Sequence, residues 1–268
     1  MILGRVLIIG AALVAVGAVA KETVMKVTPP PSNFFAIKSY LTPADFPDSV
    51  ALNPLPPAPG SAAEARDIEA QKAAVALRGT PRWDLARRDA DLFSPTAIST
   101  YSCAANLDLG PKTTPTINAL MFRVARDLAM STRATKLKYM RKRPFMVNGE
   151  PNCTPEMDKV LSGDGSYPSG HSAIGWGWGL LLSEVIPNRT TQLVARGRAF
   201  GDSRRVCNVH WLSDTEEGRI AADAVMARLH AEPAFLADVS AARAEAAAKA
   251  GKSPPQGCDA EAAALAMH

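Results

Sequence analysis

His210 and Asp214 stand four positions apart in Val209-His210-Trp211-Leu212-Ser213-Asp214, a spacing that on one helix brings both side chains to one face. An aspartate accepting from one imidazole nitrogen fixes the tautomer and leaves the other nitrogen its lone pair, which makes a nucleophile or a base. Upstream, Pro168-Ser169-Gly170-His171 precedes an apolar run. There Ser169 suits an N-cap, Gly170 lets backbone approach a ligand, and the first N–H groups of a helix from about His171 to Glu184 face outward toward an anion. Further upstream lies the basic run from Lys136 to Arg143-Pro144. Lys136 and Arg143 are separated by close to two helical turns, so both can turn inward. Arg143 then offers a planar fork for two oxygens and Lys136 a compact charge, and Arg204 adds a third cation. Taken singly, these are a capped helix start, a solvated basic face and a helical ion pair. Taken together, they describe an oxyanion site with two imidazoles.

In chain order, Lys136 with Arg143-Pro144, then Pro168-Ser169-Gly170-His171, then Ser203-Arg204 with His210 and Asp214, form a pattern that resembles the signature of the PAP2 phosphatase superfamily. The words Gly165-Ser166-Tyr167-Pro168-Ser169-Gly170-His171 and Val209-His210-Trp211, with Ser213-Asp214, are similar to those of the bacterial class A non-specific acid phosphatases. Leu55-Pro56-Pro57, Asp89-Ala90-Asp91-Leu92 and Glu232-Pro233-Ala234-Phe235 carry the resemblance over most of residues 50–250, and Ser172 departs from it where many relatives have threonine.

The resemblance implies an all-α, single-domain helical bundle of the acid phosphatase/vanadium-dependent haloperoxidase type. It implies a phosphomonoester (a nucleotide, sugar phosphate or aryl phosphate) held by Lys136, Arg143, Ser169, Gly170, His171 and Arg204. His210, oriented by Asp214, would attack phosphorus to give a phosphohistidine, and His171 would protonate the leaving alcohol. Phosphotransfer as a side activity, inhibition by phosphate or vanadate-like oxyanions, a homo-oligomer and Cys153–Cys207 and Cys103–Cys258 bridges belong to the same expectation, as does chemistry without a metal or cofactor. One neutral and one protonated imidazole place the pH optimum on the acid side, below about 6.5. Two alternatives share the cations: a vanadate-dependent haloperoxidase, and a catalytically silent phosphate-binding protein, which has no need of His171 or of the His210–Asp214 pair.

The elements that must position these groups are helical. Of 268 residues 47% are hydrophobic and 21% charged, ordinary globular values, and a formal net charge of +4 is too mild to argue for nucleic acid. Residues 1–20 combine Arg5, an apolar stretch from Val6 to Val19 and Ala18-Val19-Ala20, and read as a cleaved signal peptide rather than an anchor, which implies a periplasmic or secreted protein without a stable membrane span. The four cysteines, an even number with no metal-ligand spacing, suggest two disulfides in three open connectivities.

Residues 21–60 are a proline-rich extended arm, residues 61–250 the helical domain and residues 251–268 a tail tied down at Cys258. Within the domain, Ser61 opens a helix to Leu77, and Thr116 to Met130 carries Ile117, Leu120, Met121, Val124, Ala125 and Leu128 at core-facing spacing. Helices are predicted from Thr190 to Arg205 and from Trp211 to Leu229, the latter burying Ile220, Ala221, Ala224, Val225 and Leu229. The alanine-rich stretch from Glu232 to Lys249 reads as a solvated outer helix. No paired β-branched stretches with hairpin chemistry occur.

Overall fold

The segment after Ser169 is apolar almost all round, the pattern of a helix with neighbours on every side. In the computed structural model, which describes residues 36–252 and 254–267, it is the central helix. The expected signal peptide and the first part of the expected arm lie outside the described residues. Counting from the arm, helices α1 (Ser49–Leu52), α2 (Ala62–Val75), α3 (Pro81–Arg88), α4 (Ser102–Ala105), α5 (Pro115–Ser131), α6 (Arg133–Tyr139), α7 (Phe145–Asn148) and α8 (Asp158–Ser162) lead to this core helix, α9 (Gly170–Val185). It is followed by α10 (Thr190–Val206), α11 (Leu212–Leu229), α12 (Pro233–Lys249) and α13 (Cys258–Leu265). Among the described residues there is no strand, and no helix is long and apolar enough to cross a membrane. The all-α expectation is met.

α9 packs most extensively against α10, then α11 and α5. Its buried Ala173, Ile174, Trp178, Leu181 and Leu182 meet the predicted stripe of α5 and Phe200 of α10 in the main core. Small residues set the spacing. A Cβ on Gly179 would stand 2.8 Å from the Leu193 carbonyl oxygen and 3.2 Å from Gly197 Cα, so α9 and α10 touch backbone to backbone. Gly218 of α11 likewise has no room for a side chain beside the Ser169 carbonyl, which seats α11 against the N-terminus of α9.

Two helical faces differ from expectation. Ile220 points outward, because the buried face of α11 runs through Gly218, Ala221, Ala222, Val225, Met226 and Leu229. α12 is no solvated outer helix: Phe235, Val239, Ala242 and Ala246 are buried against α5 and α9, and small alanine side chains conceal that face in a hydrophobicity pattern. The described part of the arm does lie over the body, with Leu41 buried and Asp127 accepting from the Ser39 hydroxyl and the Tyr40 and Leu41 amides. The tail is more ordered than foreseen, since α13 packs on α3.

Both expected disulfides are present. Cys153–Cys207 closes a small apolar cluster with Ala74, Ala86, Val206 and Val209, and Cys103–Cys258 fastens α13. From α13, Glu261 reaches Arg196 Nε at 3.1 Å, and the Arg196 guanidinium grips Asp89 with both terminal nitrogens at 3.1 and 2.5 Å. Gly179→Ala is expected to cost about 1–3 kcal/mol of unfolding free energy by forcing α9 from α10; urea denaturation with an unchanged midpoint would show that the two helices separate there freely.

Candidate active site

The N-terminus of α9 is the floor of the site. Ser169 caps it, its hydroxyl accepting from the Ser172 amide at 3.2 Å and from the Ser172 hydroxyl at 2.9 Å, which leaves its own proton to donate. Its backbone N–H donates to the Asp214 carbonyl at 2.9 Å and so ties α9 to α11. Lys136 lies beside Gly170, where a Cβ would stand 3.9 Å from its Cε. Arg143 is buried with every nitrogen engaged, to the carbonyls of Leu161, Asp164, Gly165 and Val209 and to the Asp164 carboxylate. Arg204, also buried, differs: its Nε and Nη1 have no hydrogen-bond partner among the described residues. Buried guanidinium donors without partners are what an incoming oxyanion would satisfy. Burial, and then Arg143, lowers Lys136 to about 8 and Arg204 to about 9.

Hydrogen bonding fixes both imidazoles. Arg143 Nη1 lies 3.0 Å from His210 Nε2, and since a guanidinium only donates, Nε2 must accept. The ring proton is then on Nδ1, which donates to Asp214 Oδ2 at 3.3 Å. His171 is oriented the other way round, its Nε2–H donating to the Ala90 carbonyl at 3.1 Å, so Nδ1 holds the lone pair. Burial pushes both histidines well below the usual 6.5; Arg204 adds to this at His171, and Arg143, Lys136 and Arg204 add to it at His210. The three cations and two imidazoles thus share one electrostatic neighbourhood, as the motifs require.

The pattern of the PAP2 superfamily matches residues 118–231, which include each of these groups except Ala90. A non-specific acid phosphatase of Providencia stuartii is 37% identical over 81% of this chain and 89% of its own length. A non-specific acid phosphatase of Salmonella typhimurium is 39% identical over 71% and 78%, and an acid phosphatase of Zymomonas mobilis 38% identical over 71% and 72%. The chain belongs to the PAP2 superfamily. The likeness read from its motifs is borne out.

Two of the local geometries expected in this PAP2 chain are replaced by others. His210 and Asp214 do not share a helical face: His210 precedes α11, Trp211 is its N-cap, and Asp214 enters the first turn, where Oδ2 accepts from the Trp211 amide at 2.8 Å as well as from His210. Lys136 and Arg143 do not sit two turns apart on a helix either. α6 ends at Tyr139, Met140 has a left-handed φ of 41°, and the chain is non-helical before Pro144, which disfavours helix at the preceding residue.

Several supporting groups of the PAP2 site escaped the sequence. Arg141 binds Asp214 Oδ1 at 2.7 Å, the Ser213 hydroxyl at 2.8 Å and Asp67 Oδ2 at 2.8 Å, so α2 braces the acid that orients His210. Its only signal was a base two positions before Arg143, in a run otherwise read as solvated. Asp164 bridges Lys136 and Arg143, and the Ala90 carbonyl, a backbone atom, has no sequence signature. No group of three or more His, Cys, Asp or Glu side chains that could hold a metal ion occurs among the described residues. Burial raises Asp214 above the usual carboxylate value, and Arg141 opposes this. Arg141→Met leaves two buried carboxylates without their cation, with an expected loss of about 3–5 kcal/mol in denaturant unfolding; a loss under about 1 kcal/mol would mean that Asp67 and Asp214 find other partners.

Proposed function

We propose that this chain is an exported acid phosphatase that hydrolyses phosphomonoesters through a phosphohistidine on His210. The observation that carries the reading is the Nε2 lone pair of His210, oriented by Asp214 and set among Lys136, Arg143 and Arg204. The names of the relatives support the reaction class, and two disulfides suit an oxidising compartment outside the cytoplasm.

The phosphoryl oxygens take the free donors of Arg204, the Lys136 ammonium, the Ser169 hydroxyl and the first amides of α9. They also draw Arg143 Nη1 away from His210, which exposes the lone pair it had covered. Nε2 then attacks phosphorus, the ester P–O bond breaks, and the leaving oxygen takes a proton from His171. A water attacks the phosphohistidine, His171 takes its proton, the P–N bond breaks, and inorganic phosphate leaves with both imidazoles restored. Because Nε2–H of His171 is committed to the Ala90 carbonyl, Nδ1 is the atom that exchanges the proton. Charge stabilisation by pre-placed cations and dipoles is the main lever in phosphoryl transfer, and here the chain itself supplies three cations.

The sign of the pH dependence follows from the two lowered histidines. His210 reacts only above its own pKa, and His171 donates only below its own. With both pushed down, the working window lies on the acid side, and a bound dianion, by offsetting Arg204, raises His171 into it. Hydrolysis of p-nitrophenyl phosphate is expected to peak below about 6.5 and to survive dialysis against EDTA; a maximum near pH 9, or loss with chelator, sinks the assignment. His210→Ala should lower kcat by roughly 10⁴-fold or more, and rapid-quench labelling of the wild type should trap acid-labile phosphate on His210. In kcat/KM, which reports formation of the phosphohistidine and not its hydrolysis, His171→Ala should slow alkyl esters, which need a protonated leaving group, by roughly 10²–10⁴-fold and p-nitrophenyl phosphate far less. Equal losses for both esters would remove His171 from the role of acid.

A further inference from the structure

Among the described residues, Asp164 is the one carboxylate that touches the phosphoryl-binding cations directly. Its Oδ2 lies 3.1 Å from Lys136 Nζ and 3.1 Å from Arg143 Nη2, so one oxygen occupies two of the three positive charges. The other acid of the site, Asp214, is fully buried and held by Trp211, Arg141 and His210. Asp164 is held by nothing comparable: its side chain is 49% exposed and it stands between Gly163 and Gly165. Arg204, the third cation, has no ion-pair partner among the described residues. The site thus presents one cation free and two covered by a carboxylate that already has access to water.

We propose that Asp164 is an exchangeable counter-ion of the phosphoryl pocket: it covers Lys136 and Arg143 between turnovers, yields them to the phosphoryl group, and retakes them as inorganic phosphate leaves. The proposal rests on the reading of the site as a phosphoryl pocket. A dianion with three oxygens wins the two cations from a single carboxylate on charge alone, particularly once Arg204 has begun to hold it. Moving Asp164 aside costs little, because a half-exposed carboxylate is already partly solvated. The Arg143 stem stays in place through the exchange, since its Nε is anchored on the Leu161 and Asp164 carbonyls independently of the Asp164 side chain, and its terminal nitrogens are the ones that turn to the phosphoryl group. The same competition works in reverse on the product, so Asp164 sets how tightly inorganic phosphate is retained.

The test is calorimetric titration of the whole protein with inorganic phosphate and with orthovanadate, next to steady-state kinetics on p-nitrophenyl phosphate. Asp164→Asn, isosteric but uncharged, is expected to bind phosphate roughly three- to tenfold tighter with a parallel fall in KM and no rise in kcat. Asp164→Ser should move in the same direction, which guards against a distortion peculiar to asparagine, and Asp164→Glu should stay within about twofold of wild type. Phosphate affinity unchanged or weakened in both uncharged variants overturns the proposal and makes Asp164 a brace for Lys136 and Arg143. The titration needs no turnover, so the two readings fail separately. A wild type that binds phosphate without cleaving the ester defeats the phosphatase reading alone, whereas normal cleavage with no gain in phosphate affinity defeats the counter-ion alone.

Discussion

Three buried cations converging on one point are the constraint around which the fold is arranged. Taking a charge out of water is costly, and the cost is recovered only where hydrogen bonds and an opposite charge replace the water. Arg143 is compensated by carbonyls from two segments, residues 161–165 and Val209, Lys136 by Asp164 and the Gly165 carbonyl, and Arg204 least of all. On the proposed function, each departure from full compensation is a donor reserved for an oxyanion, and the site gives up some stability of the resting protein in favour of binding. Burial, and then repulsion by Arg143, lowers the charge affinity of Lys136 and Arg204, and in the proposed reaction a bound phosphoryl dianion is the species that offsets it.

Parts of the chain outside the match to the family pattern brace the surroundings of these groups. α2 supplies Asp67, which accepts from Arg141 and from the Ser213 amide and hydroxyl. The segment after α3 supplies the Ala90 carbonyl for His171. The arm reaches the approach to α9, where the Tyr167 hydroxyl donates to the Pro54 carbonyl at 2.9 Å. Asp67, the Ala90 carbonyl and the arm therefore meet the reactive groups only in the folded chain.

That division also explains what could be read in advance. Lys136, Arg143, His171, Arg204, His210 and Asp214 were legible through residue type and the resemblance of their motifs, whereas the helical spacing read for Lys136 with Arg143 and for His210 with Asp214 does not hold. Ser61 and Ser169 as caps and Pro81, Pro115 and Pro233 at helix starts fix boundaries locally, so most helices fall within a residue or two of expectation. Contacts between distant positions were not legible. Arg141 and Asp67 are 74 residues apart, and a solvated arginine and one that bridges two carboxylates look alike in a sequence. The turn at Met140 escaped too, since nothing marks a methionine as the residue that will adopt a left-handed conformation. On α11 and α12 alanine blurs the apolar face, and burial was decided by which neighbour could approach closely enough.

The link from Glu261 through Arg196 to Asp89 has a consequence for His171. Asp89 adjoins Ala90, whose carbonyl decides which nitrogen of His171 is free, and Asp89 also receives the hydroxyl of Ser203, next to Arg204. α13, pinned by its cystine to Cys103, is thus a strut beneath both groups rather than trailing polypeptide. The tautomer of one histidine is inherited from packing near the opposite end of the chain.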